Sequence, residues 1–138
     1  MFAFVPDASV TLTWCFEDEA GPETDGLLHR LKNGERALVP AHWALEIANG
    51  ALTAVKRGRI SREKAQRFLE DVGFLPITTD KALGASECTW IFALAEKYRL
   101  TAYDAAYLEL AIRTGVPLAS RDDDLRKAAA VAGVARIV

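Results

Sequence analysis

The chain has 138 residues, 51% of them hydrophobic and 26% charged, which fits one soluble globular domain over residues 1–138 and argues against disordered, collagenous and coiled-coil chains. The formal net charge of −2 argues against a protein that holds nucleic acid by bulk positive charge, but an enzyme that acts on nucleic acid stays compatible with it. No apolar run reaches the roughly 18 residues of a membrane span, and the N-terminus lacks the basic flank of a signal peptide, so we expect a cytoplasmic protein.

Apolar runs alternate with amphipathic segments along the chain. The first run, Phe2-Ala3-Phe4-Val5, is stopped by Pro6 and is predicted to form a buried strand. Residues 10–16 have a period that does not distinguish helix from strand. The segments that follow are predicted as helix 23–33, strand 37–40, helices 43–57 and 61–73, a weak strand 75–78, helices 85–98 and 102–113, strand 117–120, helix 123–132 and strand 134–138.

Two of the predicted helices carry apolar stripes that predict their buried faces. In helix 43–57 the stripe consists of Leu45, Ala48, Leu52 and Val55. In helix 85–98 it consists of Trp90, Ile91, Leu94, Ala95 and Tyr98. The alternation of helices with short hydrophobic strands predicts an α/β fold built on a parallel sheet.

Four acidic residues occupy positions that call for an explanation. Asp7 and Asp122 follow predicted strands, whose carboxyl ends bind ligands in such folds. Glu46 and Asp104 lie within apolar helical segments, where carboxylates are rare unless paired or bound to a cation. Each also has a purely structural interpretation: Asp7 as a turn or N-cap residue, Glu46 on an exposed helix edge, Asp104 in a Thr101-x-x-Asp104 capping box, and Asp122 with Asp123 and Asp124 at a helix N-terminus.

The other interpretation is that Asp7, Glu46, Asp104 and Asp122 converge on one site. Carboxylates roughly 5 Å apart would repel by about 3 kcal/mol per pair at an effective dielectric near 20, so an ionised cluster needs a cation. Oxygen ligands favour a hard ion, and Mg²⁺ or Mn²⁺ is therefore expected. Such an ion activates water and neutralises phosphate oxygens, which predicts phosphodiester hydrolysis.

Four motifs contain these acids: Phe4-Val5-Pro6-Asp7-Ala8-Ser9, Ala44-Leu45-Glu46-Ile47-Ala48-Asn49, Thr101-Ala102-Tyr103-Asp104-Ala105-Ala106-Tyr107 and Leu118-Ala119-Ser120-Arg121-Asp122-x-x-Leu125. In this order they resemble the motifs of the PIN-domain nucleases, and among these the VapC-type toxins of toxin–antitoxin pairs. The resemblance covers the whole chain and implies a three-layer fold, with helices flanking a central parallel sheet of about four to five short strands. It also implies catalytic and metal-binding roles for Asp7, Glu46, Asp104 and Asp122, with Ser9 and Ser120 in support.

The activity implied by the resemblance is that of a Mg²⁺-dependent endoribonuclease, in which Mn²⁺ can substitute, leaving 3′-hydroxyl and 5′-phosphate ends. The resemblance further implies a homodimer and a VapB-like antitoxin whose peptide lies across the active-site groove. Spacing from Ser120 and Leu125 favours Asp122 as the fourth acid, with Asp124 as the alternative. The RNA that is cut and the number of metal ions stay open.

A basic stretch joins two predicted helices and contains Lys56, Arg57, Arg59 and Arg62. It either contacts RNA phosphates or forms a solvated helical hairpin.

Three other functions compete with that of a nuclease toxin. The first is a PIN nuclease that processes RNA without a toxic role. The second is a Mg²⁺-binding phosphoacceptor signalling domain, but an acidic pair after the first strand and a Lys closing a late strand are missing. The third is a catalytically silent binding module, which would leave the four acids scattered over the surface.

Overall fold

The computed structural model describes residues 1–81 and 83–138, which contain four short strands and seven α-helices. The strands are β1 (Val5–Pro6), β2 (Ala37–Val39), β3 (Ile77–Thr79) and β4 (Leu118–Ala119). The helices are α1 (Ala8–Thr13), α2 (Pro22–Lys32), α3 (Trp43–Lys56), α4 (Arg62–Gly73), α5 (Ala85–Tyr98), α6 (Ala102–Thr114) and α7 (Asp123–Val131), and a 3-10 turn covers Glu17–Glu19. Within these described ranges no helix combines the length and apolarity needed to cross a bilayer.

The four strands are parallel and lie side by side. β1 pairs with β4, aligning Val5 with Leu118, and β2 pairs with β3, aligning Ala37 with Ile77. A parallel bridge between Phe4 and Ala37 joins the two pairs, so the order across the sheet is β3-β2-β1-β4. The helices form the crossovers between parallel strands, and the predicted α/β class with a parallel sheet of short strands is confirmed.

Two predicted strands differ from the structure in extent. Pro6, predicted to stop the first strand, is its last residue, because the amides of its two neighbours donate to the β4 side and no donor is needed from Pro6 itself. The predicted strand 134–138 is reduced to one parallel bridge between Arg136 and Leu118. The two-residue length of β4 leaves little backbone for a longer pairing at that edge.

The segment of undecided period forms helix α1. Asp7 caps its N-terminus and accepts a hydrogen bond from the backbone N–H of Val10 at 3.0 Å. Thr11 and Thr13 are buried, and their hydroxyls donate to backbone carbonyls one turn earlier, so their polar groups are satisfied inside the core. Because α1 begins directly after β1, Asp7 lies at the carboxyl edge of the sheet.

Helix α3 buries a different face from the predicted one. Its buried residues are Trp43, Ile47, Ala51 and Ala54. The predicted stripe is mostly exposed, with Leu45 at 74%. The buried face packs closely on α1, since a Cβ placed on Gly50 would lie 2.5 Å from a methyl carbon of Leu12. The prediction was wrong because it followed the large leucines, whereas small side chains lie where the two helices approach each other.

Helix α5 also buries less than predicted. Of its predicted stripe only Ile91 is buried, and Trp90 is 71% exposed. The main packing partner of α5 is α6 alone, so a single line of residues suffices to cover the contact. The prediction was wrong for Trp90 because it assumed a wide apolar face packed against several neighbours.

Candidate active site

Four helices begin around the carboxyl edge of the sheet, and each carries one of the four predicted acids. Asp7 and Asp122 are the N-cap residues of α1 and α7. Glu46 lies in the first turn of α3, and Asp104 lies in the first turn of α6. Helix N-termini carry partial positive charge, so every acid occupies a position that favours negative charge.

Asp7 is 4% exposed, and both of its carboxylate oxygens accept hydrogen bonds from serine hydroxyls. Ser120 donates to Oδ2 at 2.5 Å, and Ser9 donates to Oδ1 at 2.6 Å. Burial raises the pKa of Asp7, while the bonds from Ser120, Ser9 and the Val10 amide oppose that rise. The charge of Asp122 raises the pKa further, which places Asp122 near Asp7.

The same two serines connect the loop after β4 to the start of α1. The Ser9 hydroxyl accepts from the backbone N–H of Arg121 at 2.9 Å, and the Ser120 hydroxyl accepts from that of Asp122 at 3.0 Å. Each hydroxyl therefore donates to Asp7 and accepts from the loop at once. This pairing holds the backbone of Asp122 at a fixed place relative to Asp7.

The pKa of Asp104 responds to the charges of all three other acids. Its pKa is raised to about 6, first by burial and then by the negative charges of Asp122, Asp7 and Glu46. The hydroxyl of Thr101 lowers it. Thr101 also accepts from the backbone N–H of Asp104 at 3.1 Å, so half of the predicted capping box is present. Its carboxylate nevertheless experiences the charges of all three other acids.

Glu46 is held by two groups of its own. The hydroxyl of the buried Tyr107 donates to Oε1 at 2.6 Å, and Nε2 of His42 lies 3.1 Å from the same oxygen. Burial raises the pKa of Glu46, but the interactions with His42 and Tyr107 outweigh it and the net pKa is lowered. Burial and the bond to Glu46 raise the pKa of Tyr107, which stays a hydroxyl donor.

Tyr107 and His42 have functional contacts that sequence reasoning did not assign. Tyr107 lies three residues after Asp104 on α6, and His42 lies four residues before Glu46 at the start of α3. Residues at these spacings share a helix face, so both positions carried a readable signal. What the spacing does not contain is the contact between α3 and α6, which joins residues 61 apart in the sequence.

Of the three successive acids at the start of α7, Asp122 is the one whose charge raises the pKa of both Asp7 and Asp104. Asp124 is exposed and lines a different cavity together with Lys97, Arg99 and Lys127. The structure therefore brings together Asp7, Glu46, Asp104 and Asp122, with Ser9 and Ser120, and leaves Asp124 to one side.

The predicted basic stretch lies away from these acids. Lys56 ends α3, ten residues after Glu46, a distance of roughly 15 Å along the helix axis. Arg59 binds Asp18 at 2.9 Å and lies over the ring of Phe16 at 4.1 Å. These contacts pair part of the basic stretch with the acidic 3-10 turn Glu17–Glu19.

The chemistry of the site fits a hard divalent cation. The groups that could bind a cation there are carboxylate oxygens, and the charges of the other three carboxylates raise the pKa of Asp104. In the described part of the chain no three His, Cys, Asp or Glu side chains already surround one point, and several of the carboxylate oxygens accept hydrogen bonds from protein donors. The residues that would hold the ion are Asp7, Glu46, Asp104 and Asp122.

Comparison with protein families matches the PIN domain over residues 4–131. The chain belongs to the PIN domain family. PIN domains are nucleases and generally use divalent metals. A comparison with curated protein sequences finds no match.

Solved structures share this PIN fold at low sequence identity. PAE2754 from Pyrobaculum aerophilum has a TM-score of 0.73 at 20% identity, covering 92% of this chain and 84% of that one. A toxin–antitoxin complex from Klebsiella pneumoniae has a TM-score of 0.66 at 17% identity, covering 99% and 98%. VapBC2 from Rickettsia felis, bound to a DNA fragment from its promoter, has a TM-score of 0.61 at 13% identity, covering 91% and 92%.

Two of the competing functions fit this PIN domain poorly. A silent binding module required scattered acids, whereas Asp104 experiences the charges of the other three. A phosphoacceptor domain required a Lys at the end of a late strand, whereas β4 is followed by Ser120, a hydrogen-bond donor to Asp7.

Proposed function

We propose that this PIN domain is a Mg²⁺-dependent endoribonuclease, with Mn²⁺ as a substitute, and the toxin of a VapBC-type pair. The observation that carries the catalytic part is the position of the four acids at the starts of four helices around the carboxyl edge of the sheet, and the raised pKa of Asp104 agrees with it. Four acids within reach of one another at the carboxyl edge of a parallel sheet suit a cation-dependent attack on a phosphodiester. The toxin part is supported by similarity to toxin–antitoxin structures.

In this proposal each protein group has a defined task. Ser9 and Ser120 hold both oxygens of Asp7 and favour its ionised form. Tyr107 and His42 keep Glu46 ionised and oriented. A bound Mg²⁺ supplies a Lewis acid that activates water and offsets phosphate charge. Hydrolysis of the P–O3′ bond leaves a 3′-hydroxyl on one fragment and a 5′-phosphate on the other.

The test of the catalytic proposal is cleavage of structured RNA by the purified protein. We expect cleavage with Mg²⁺ or Mn²⁺ and none with EDTA. Asp7→Asn should abolish cleavage, and Asp123→Asn is the control, because it removes an exposed acid in the first turn of α7 that lies outside the cluster. Unchanged cleavage by Asp7→Asn would refute the assignment of the site.

The test of the toxin proposal is induction of the gene in its host. We expect growth arrest, relieved by co-expression of a small adjacent reading frame that encodes the antitoxin. RNA cleavage without arrest, and without such a neighbour, would instead support a PIN nuclease of RNA processing. Mapping cleavage sites across total RNA after induction would identify the substrate.

A homodimer and an antitoxin both need surface to bind. Leu45 and Leu52 on α3 and Trp90 and Phe92 on α5 are large apolar side chains that the fold leaves exposed. Such side chains are typical of protein interfaces. We expect light scattering to give twice the mass of one chain, and Trp90→Glu to separate the dimer if α5 forms the contact.

A further inference from the structure

The cavity that Asp124 lines has a volume of about 510 Å³ and lies between the C-terminal end of α5 and the outer side of α7. Its charged lining residues are Lys97, Arg99, Lys127 and Asp124. The three cations outnumber the one carboxylate, so the cavity carries a net positive charge. Within residues 1–81 and 83–138, none of these three cations takes part in an ion pair, unlike Arg59.

This basic pocket is formed by residues close in sequence to two of the four acids. Arg99 lies two residues before Thr101, the N-cap of the helix that carries Asp104. Lys127 follows Asp122 by five residues on the same helical segment, which is roughly 7.5 Å along the axis. Two of the four acids, Asp104 and Asp122, therefore lie five residues along the chain from cations that line the basic pocket.

Two further features of the basic pocket are the backbone conformation of Arg99 and the aromatic ring of Tyr98. Arg99 has a φ of 56°, in the left-handed region where glycine or asparagine is less strained. Tyr98 lines the same pocket, and Nζ of Lys97 lies 5.3 Å from the centroid of its ring. An aromatic ring among cations is a common feature of sites that bind single-stranded nucleic acid.

We infer that this basic pocket binds the phosphates of single-stranded RNA that flank the scissile bond, an inference that rests on the proposed nuclease function. The acid cluster repels a polyanion, so a strand can be held there only if cations beside the cluster bind its neighbouring phosphates. The basic pocket provides three such cations, and two of them, Arg99 and Lys127, lie five residues along the chain from Asp104 and Asp122. The basic stretch at the C-terminal end of α3 lies roughly 15 Å from Glu46 along the helix.

The experiment compares two variants that each lose three positive charges. The pocket variant combines Lys97→Gln, Arg99→Asn and Lys127→Gln, and asparagine is chosen because it tolerates the left-handed backbone at that position. The matched control combines Lys56→Gln, Arg57→Gln and Arg62→Gln. Circular dichroism and thermal unfolding establish that both are folded.

Two assays are run on each protein. One gives kcat and KM for RNA cleavage in Mg²⁺, and the other gives the affinity for a fluorescein-labelled single-stranded RNA in EDTA between 50 and 200 mM KCl. For the pocket variant we expect KM to rise roughly 10- to 100-fold with kcat within about twofold. We also expect the slope of log affinity against log salt to fall by about 2, as for three lost phosphate contacts. The control should behave as the unaltered protein does.

Three results would overturn the inference. One is an RNA affinity and salt slope of the pocket variant that equal those of the unaltered protein. Another is an equal or larger loss in the control variant, which would assign RNA binding to the basic stretch. The third is loss of antitoxin binding by the pocket variant with RNA binding intact, which would make the pocket a protein-binding site. Failure of the unaltered protein to cleave any RNA would instead refute the proposed function itself.

Discussion

Asp7 shows how strongly single residues determine this site. A buried carboxylate is costly unless its charge is stabilised, and here two hydroxyls do so while fixing its orientation. Glu46 has an equivalent arrangement with Tyr107 and His42. Among the described residues only the hydroxyl of Thr101 lowers the pKa of Asp104, so burial and then the charges of the other three acids raise it.

Replacing Ser120 by alanine tests the support of Asp7. The bond from Ser120 lowers the pKa of Asp7, so Ser120→Ala should raise that pKa and move the acidic limb of the pH–rate profile to higher pH. We expect cleavage at neutral pH to fall roughly 10- to 100-fold, as for loss of a group that orients a metal ligand. Ser86→Ala, which removes an exposed hydroxyl, is the control. An unshifted profile would contradict the role of Ser120.

Asp104→Asn tests the repulsion. The folded chain binds the Asp104 proton more tightly than an unperturbed Asp of pKa 3.8 does, so its contribution to stability is complete below about pH 4 and is lost as pH rises through about 6. In EDTA at pH 8, we expect Asp104→Asn to raise Tm by about 3 °C, a gain limited by solvent screening of this half-exposed group. At pH 4 the two proteins should unfold together. A lower Tm at pH 8 would assign Asp104 to capping instead.

Tyr107→Phe tests the support of Glu46. The ring is 1% exposed, so phenylalanine fills the same space and removes only the hydroxyl bonded to Glu46. We expect the free energy of unfolding, measured in urea, to fall by about 1 kcal/mol. We also expect the pKa of Glu46 to rise, since that bond lowers it. Equal stability with an unchanged pH–rate profile would show that the bond does not matter.

At the scale of elements, the sequence predicted the helices well and their faces less well. Capping residues are local signals, and Asp7, Ser61, Thr101 and Asp122 do cap helices with their side chains. A buried face depends on which neighbour packs against it, as α1 does against α3 and α6 against α5. That information is absent from local periodicity, and the predictions for Leu45 and Trp90 failed for this reason.

A pair of substitutions on α3 tests the observed face. Ile47 is 2% exposed and Leu45 is 74% exposed, although both belong to one apolar helix. We expect Ile47→Ala to lower the free energy of unfolding by about 2–4 kcal/mol, and Leu45→Ala to change it by less than about 0.5 kcal/mol. Urea denaturation at low protein concentration measures both. A larger loss for Leu45→Ala would restore the face expected from the sequence.

Across the whole molecule, the distribution of charge matters more than the net value of −2. The acidic segment Glu17–Glu19 pairs with Arg59 and Lys64, which accounts for much of the acidity near the N-terminus. Near the site the signs differ: acids lie at the carboxyl edge of the sheet, and the basic pocket holds cations that form no ion pair within residues 1–81 and 83–138. The sequence predicted the four acids from their motifs. It could not predict the ion pairs of Glu17–Glu19 with Arg59 and Lys64, because these join distant parts of the chain and depend on the fold.

Metal binding should stabilise the whole chain. A ligand that binds only the folded state raises stability with its concentration, by about 2.7 kcal/mol at 100 times Kd. We expect Tm to rise with MgCl₂ and to return with EDTA, and Asp7→Asn to remove most of this rise. Sodium chloride at matched ionic strength is the control for screening. An equal rise in sodium chloride would contradict a specific cation site.

The hydrogen bond from Ser120 to Asp7 joins residues 113 apart in the sequence. A ribosome translating this chain reaches Ser120 and Asp122 more than a hundred residues after Asp7. A nascent chain, or a product truncated by a frameshift before Ser120, therefore lacks two of the groups that complete the acid cluster. Under the proposed function, a chain that has not yet reached Ser120 and Asp122 therefore carries no complete nuclease site.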